Sequence, residues 1–309
     1  MSCNYPIQAY RLKSGDIVFD TRSGYDIIRY LKVPCGKCIG CRMERARQWA
    51  VRCTHEASLY ERNCFITLTY NDAHLPDIDD LQYDDFQRFM KRLRKKYSSK
   101  KIRFFMCGEY GDSLGRPHYH ACLFNHDFDD RVYFKTSHSG SKIYISQKLQ
   151  NLWTDRANQP IGHCTIGDIN YNSAAYVARY VIKKKLGYGS DKDYQMIDIE
   201  TGEVVTKTKE FTHMSLKPGI GKGFYDKWKT DMFPLDVCIV QGKESKPPQY
   251  YFKKLALEDP EVHEEILYRR EQQALVHAAD NIQERKEIKE KVLEARVKLL
   301  KREFFKMED

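Results

Sequence analysis

The segment CGEYGDSLGRPHYHACLF, residues 107–124, sets the carboxylate of Glu109 and two imidazoles at spacings that suit a metal site. Residues two apart on a strand share a face, so His118 and His120 project together while Tyr119 points away. A hairpin that sets Glu109 opposite His118 would hold their Cβ atoms roughly 4.5–5.5 Å apart. An open two-histidine, one-carboxylate group binds a divalent cation and leaves positions for a substrate oxygen. The alternative is an ordinary polar pair in a half-buried strand.

A second group lies in SAAYVARYVIKKK, residues 173–185. On a helix Tyr176 and Tyr180 are at i and i+4 and share a face, which Lys183 and Lys184 extend. Tyrosines at this spacing are most often core residues. A phenol has a pKa near 10 and is a poor nucleophile at neutral pH. It needs a nearby cation or base and a polarised target. A divalent ion held by Glu109, His118 and His120 would polarise a phosphodiester, and lysines would stabilise developing charge. Each motif supplies what the other lacks.

Ten cysteines are present, and Cys35, Cys38 and Cys41 fall together in PCGKCIGCR. No secretory signal precedes them, so the spacing reads as metal ligation before it reads as a disulfide framework. A Cys-Gly-x-Cys knuckle suits a structural tetrahedral Zn²⁺. Cys3 is the preferred fourth ligand because it would pin the N-terminus to the knuckle, with Cys53 and His55 as alternatives. Unligated thiols and an iron–sulfur cluster are the competing readings, and the Cys-Pro partner of such a cluster is missing nearby. Cys64, Cys107, Cys122, Cys164 and Cys238 lie in apolar runs and read as buried small hydrophobes.

The charge pattern points to a polyanion. Lysine and arginine exceed the acids by nine, and residues 88–103 hold nine bases and no acid. Arg88, Lys91, Arg92, Arg94, Lys95, Lys96 and Arg103 are therefore candidate phosphate contacts, with Tyr97 and Phe104 placed to stack on unpaired bases. A solvated helix face is the alternative. KPGIGKG, residues 217–223, brings glycines that allow close approach to phosphate but lacks the Walker sequence. No apolar run is long enough to span a membrane.

These residues need elements to position them. The periodicities predict a helix over residues 42–61 and a strand at NCFITLTY. A helix follows around QYDDFQRFMKRLRKKY, then strands at KIRFFMCGEY and RPHYHACLF. Beyond them a helix is expected over 144–155, a strand at GHCTIGDI and a helix from Asn170 or Asn172. The expected fold class is α+β, a mostly antiparallel central sheet flanked by helices. The expected divisions are a Cys-rich segment and helix (1–60), a core (61–190), a mixed extension packing on it (191–253) and a charged helical tail (254–309).

Taken in order, FITLTY, PHYHACLF and YVARYVIKK resemble the three motifs of the HUH superfamily of rolling-circle replication initiators. More closely, PCGKCIGCR, GEYGDSLGRPHYH and MSLKPGIGKGFYD resemble the replication initiators of gokushovirus-type small single-stranded DNA phages, over roughly residues 1–255. The resemblance implies an endonuclease and ligase acting on single-stranded DNA at a replication origin in the bacterial host cytoplasm. His118 and His120, with Glu109 as third ligand, would bind Mg²⁺ or Mn²⁺. A tyrosine would attack the scissile phosphate to give a 5′-phosphotyrosine and a free 3′-OH primer, and Tyr176 and Tyr180 match the paired arrangement. Related initiators often carry lysine just before the second tyrosine, where this chain has Arg179. Arginine keeps the charge but does not release its proton, so Lys183 or Lys184 is the better general acid. No helicase motif is present, so unwinding and synthesis would fall to host helicase and polymerase. The competing class is a non-catalytic, zinc-stabilised single-stranded nucleic-acid-binding protein, which has no use for a carboxylate, two histidines and two tyrosines brought together.

Overall fold

The computed structural model describes residues 3–21, 24–111, 114–137, 140–183, 192, 194–198 and 201–300, without the side chains of 179–183 and 300. The chain opens with β1 (Ile7–Leu12), β2 (Ile17–Val18) and β3 (Ile27–Val33), which form a small antiparallel sheet in the order β2-β1-β3. The cysteine knuckle then leads into α1 (Ile39–Ala57). This helix starts three residues before the expected position because Cys38 caps it, its sulfur accepting the Cys41 N–H. It stops at Ala57, where the Asn63 amide donates to the carbonyls of Ala57 and Tyr60 and turns the chain into the sheet.

The main sheet begins with β4 (Asn63–Thr69), followed by α2 (Tyr83–Lys96), β5 (Arg103–Tyr110) and β6 (Pro117–Phe124). Next come β7 (Val132–Thr136), β8 (Lys142–Ile145), the short α3 (Gln147–Gln150), β9 (Cys164–Gly167) and α4 (Tyr171–Lys183). A small hairpin of β10 (Gln195–Ile197) and β11 (Val204–Thr206) precedes β12 (Phe211–Met214). Seven strands pair in the order β12-β5-β6-β4-β9-β8-β7, every neighbouring pair antiparallel. This is the mixed α+β architecture that the alternating patterns predict.

Helices cover both faces of that sheet. On one face Ile66, Leu68, Phe104, Met106, Tyr119 and Leu123 pack against Phe86, Phe89, Met90 and Leu93 of α2. On the other, Phe65, Phe105, Cys107, Cys122 and Phe124 meet Ala46, Ala50 and Cys53 of α1 and Ala174, Val177 and Ala178 of α4. The small residues of α1 and α4 let these two helices lie close together. Fully burying one of the larger side chains contributes about 1.5–3 kcal/mol, so this strict alternation holds the strand register firmly. The five cysteines expected as small hydrophobes are all buried.

One expectation changes, and the charged tail divides. The helix expected over 144–155 shrinks to α3, because the KIYI alternation of residues 142–145 is taken up by pairing with β7 and Ser146 starts a new cap. The tail is not one helix. After α5 (Lys222–Met232), β13 (Cys238–Val240) and β14 (Lys243–Ser245) come α6 (Gln249–Glu258), α7 (Pro260–Val276) and α8 (Gln283–Leu300). Asp259 caps α7 with Pro260 in its first turn, which forces the break. Phe252, Leu255 and Ile266 are buried in a third core with Tyr225 and Tyr251. Ion pairs of Arg29 with Glu271 and of Arg270 with Asp236, and a hydrogen bond from Tyr5 to Glu290, dock these helices. No helix among the described residues is long and apolar enough to cross a membrane.

Candidate metal and tyrosine site

The hairpin β5–β6 places Glu109 directly opposite His118 and Cys107 opposite His120, while β4 sets Thr67 opposite His120 and Thr69 opposite His118. Gly108 is required between the site residues, since a Cβ there would lie 2.9 Å from the Phe211 ring that crosses the strand. The Nε2 atoms of His118 and His120 converge on Glu109 Oε1 at 2.8 and 3.0 Å. An octahedral cation with bonds of about 2.1 Å needs neighbouring ligands about 3 Å apart, and this donor set fits it.

The far sides of the two imidazoles are also held. His118 Nδ1 donates to the Arg116 carbonyl at 3.2 Å, and His120 Nδ1 lies 2.9 Å from Thr67 Oγ1. In this structure the Nε2–H groups meet the carboxylate; with a cation in their place, a proton on each Nδ1 would leave both Nε2 lone pairs free to ligate it. Such outer partners fix tautomer and ring orientation in histidine metal sites. Thr67 and Arg116 were missed from the sequence; strand alternation exposes Thr67 as a face-sharing residue but does not reveal its bond. Burial would raise the Glu109 carboxyl, but the charge and hydrogen bond of His118, then those of His120, outweigh it and hold the group down at about 2.

Tyr176 stands over this group. Its ring is 5.1 Å from His120 and 6.4 Å from Phe65, nearly perpendicular to both. The helix that carries it starts where Asn170 Oδ1 accepts the Ser173 N–H, so Asn170 rather than Asn172 caps it. Arg179, Tyr180 and Lys183 lie on the same helix, but their side chains lie outside the described residues, as does Lys184 altogether.

The four cysteines form a separate group. Cys3, Cys35, Cys38 and Cys41 place their sulfurs within 4.8 Å of one another. The Cys35–Cys41 and Cys3–Cys38 sulfur separations are both 4.0 Å. A tetrahedral zinc with bonds of about 2.3 Å requires edges of about 3.8 Å, so this donor set also fits. Main-chain N–H groups of Cys35, Cys38 and Cys41 point at the sulfurs of Cys3, Cys35 and Cys38. Burial would raise the Cys35 thiol, but the N–H groups of Cys38 and Lys37 bring it down to about 7. Cys53 packs in the α1–α4 core and His55 stacks on Phe224, so neither alternative joins the knuckle.

The basic run needs correction. Arg103 is buried, with Nε 2.5 Å from Glu56 and a second nitrogen donating to the Pro218 carbonyl, so its charge does not reach the surface. Arg92 donates to the carbonyls of Leu152, Thr154 and Asp155, and Arg94 to that of Ile102. Arg92 is half-buried in these bonds, whereas Arg94 stays exposed. Arg88 pairs with Asp85, while Lys91, Lys95 and Lys96 are exposed. All of these α2 residues lie on the layer opposite Glu109, His118, His120 and Tyr176, with the sheet between.

Fold and site together define a mixed α+β protein with two metal-competent ligand groups, one of them beneath a helix-borne tyrosine. A family model described as replication-associated protein ORF2 matches residues 63–185, a span that contains Glu109, His118, His120 and Tyr176. The chain is 35% identical over 259 residues to replication-associated protein VP4 of Bdellovibrio phage phiMH2K, covering 81% of this chain and 76% of that protein. It is 31% identical over 280 residues to replication-associated protein ORF2 of Spiroplasma virus 4, covering 84% and 81%. It is also 36% identical over 168 residues to replication-associated protein ORF4 of Chlamydia phage 1, covering 52% of this chain and 40% of that one. The chain belongs to the family of phage replication-associated proteins, as the motif resemblance implied. No solved structure matches it.

Proposed function

We propose that this protein is a rolling-circle replication initiator that nicks and rejoins single-stranded phage DNA at the origin, inside the bacterial host. The observation that carries the reading is Tyr176 beside His120, where two imidazole Nε2 atoms and a carboxylate already converge. Mg²⁺ or Mn²⁺ on Glu109, His118 and His120 would supply Lewis-acid polarisation of the scissile phosphate. Thr67 and the Arg116 carbonyl hold the imidazoles in the ligating tautomer. The Tyr176 oxygen attacks phosphorus, the bond from phosphorus to the 3′ oxygen breaks, the phenolic proton leaves, and the departing 3′ oxygen is protonated. The products are a 5′-phosphotyrosine and a 3′-OH primer. Tyr180, one turn further on, takes the second transfer, and Lys183 or Lys184 is the proton donor. Zinc in the four-cysteine group ties the N-terminus to α1. Unwinding and synthesis belong to host helicase and polymerase.

The test is denaturing electrophoresis of the full chain with labelled single-stranded origin DNA, with and without Mn²⁺. A metal-dependent adduct that survives denaturation and is absent from the Tyr176→Phe, Tyr180→Phe double variant supports the reading. Binding without adduct across several origins and metals favours the non-catalytic class instead.

A further inference from the structure

Five strands present one row of side chains on the face that bears the metal ligands. Glu109 opposes His118, His118 opposes Thr69, and Thr69 is held to His163 by main-chain and hydroxyl hydrogen bonds of 3.0–3.2 Å. A parallel row runs Thr212, Cys107, His120, Thr67, Thr165. Tyr144 opposes Ile166, so the next residues bring Ile145 beside Thr165, and Val132 opposes Ile145. His163 therefore shares the face of His118, two strand spacings or about 10 Å away.

The two ends of these rows differ in chemistry. Glu210 directly precedes the Phe211–Gly108 pair, its carboxylate accepting the Tyr194 hydroxyl, so acids gather on that side. On the other side the floor is Thr69, Thr165 and an exposed His163, followed by Ile145 and Val132 at 41% and 61% exposure. Helices α1 and α4 bury the Phe65–Phe105–Cys122 part of this face, while His163, Ile145 and Val132 are exposed among the described residues. The position of His163 is built rather than loose. A Cβ on Gly162 would fall 2.0 Å from the Thr69 carbonyl oxygen, and Trp153 Nε1 donates to the same oxygen at 2.7 Å.

We propose that single-stranded DNA leaves the metal-ligand group across this open end of the sheet. Its phosphates meet Thr165 and His163, and an unpaired base lies on Ile145 and Val132. Uncharged donors and an imidazole accept a phosphodiester, whereas the carboxylate flank repels one. Exposed apolar side chains beside them offer a base its flat face without reading its sequence. The path runs away from the basic surface of α2, which lies behind the sheet. It rests on the reading that single-stranded DNA is the substrate.

The experiment is fluorescence anisotropy of a fluorescein-labelled mixed-sequence DNA single strand titrated with the full chain, with no Mg²⁺ or Mn²⁺ added and no chelator, so that no strand is cut and the four-cysteine group keeps its metal. The variants are His163→Ala with Thr165→Val, and separately Ile145→Glu. All three side chains are partly or fully solvent-exposed, and thermal midpoints check that the fold is retained. The paired variant is expected to weaken binding about tenfold, the loss of one or two hydrogen bonds to a charged group, and Ile145→Glu by at least as much. Wild-type affinity in both folded variants overturns the path while leaving the substrate class intact. So does a loss confined to Lys95→Ala with Lys96→Ala. A wild-type chain that binds no single strand overturns the path together with the reading beneath it.

Discussion

The ring of Tyr176 meets the imidazole of His120 edge-on, with centroids 5.1 Å apart and planes at 82°. The two come from different layers, one from a helix and one from the sheet, and packing between the layers holds this phenol beside the ligand group. The first cut should therefore belong to Tyr176. Tyr176→Phe is expected to reduce adduct formation in a single turnover by at least about 10³-fold, while Tyr180→Phe retains it. Quantified adduct bands in the first minutes of reaction decide between the two.

Thr67 touches no substrate in this arrangement; it orients His120 across 2.9 Å. Thr67→Val should weaken Mn²⁺ binding about 10- to 100-fold, the usual cost of losing an outer partner. Thr67→Ser should restore it. Calorimetric titration of Mn²⁺ into the three proteins provides the comparison, and a uniform loss of stability without a change in affinity would contradict the assignment.

The four-cysteine group predicts one tightly bound zinc per chain by elemental analysis. Cys38 both contributes a sulfur and caps α1, so Cys38→Ala should eliminate the zinc and fray the start of that helix. A loss of about 3 kcal/mol would lower the melting temperature by roughly 5 °C in a chain of this size. A chelator should reproduce the shift in the wild type and leave the variant unchanged.

Stability should fall on mild acidification because of His55. Burial pushes its pKa down to about 4, where it stacks on Phe224 and its Nδ1 lies 3.2 Å from the Tyr251 hydroxyl. The unfolded chain binds a proton below about 6.5 that the folded chain refuses until about 4, so stability is full above 6.5 and is lost as pH falls through this window. The contribution at the lower end is about 3 kcal/mol. Urea unfolding at pH 7 and pH 5 should show the loss, and His55→Gln should reduce it, the remainder belonging to His126, which burial also pushes down to about 4.

Much of the ligand group was legible in the sequence because strands have a period of two. That period alone puts His118 and His120 on one face, and a short hairpin brings Glu109 opposite, as the register shows. The knuckle spacing pointed to a metal, and a small N-terminal thiol was the natural closure, as Cys3 is. What local pattern cannot say is which face of the sheet a helix will cover. Both α2 and α4 carry an amphipathic stripe, yet one lies behind the sheet and the other beside His120. That choice is made by burial summed over the whole sheet and by how the connections run, and it turned Arg103 inward to Glu56 and separated the basic run from the ligand group. Thr67 and His163 were invisible for the same reason. Their roles arise from strand neighbours about 50 and 90 residues apart in sequence, a pairing that only the folded sheet supplies.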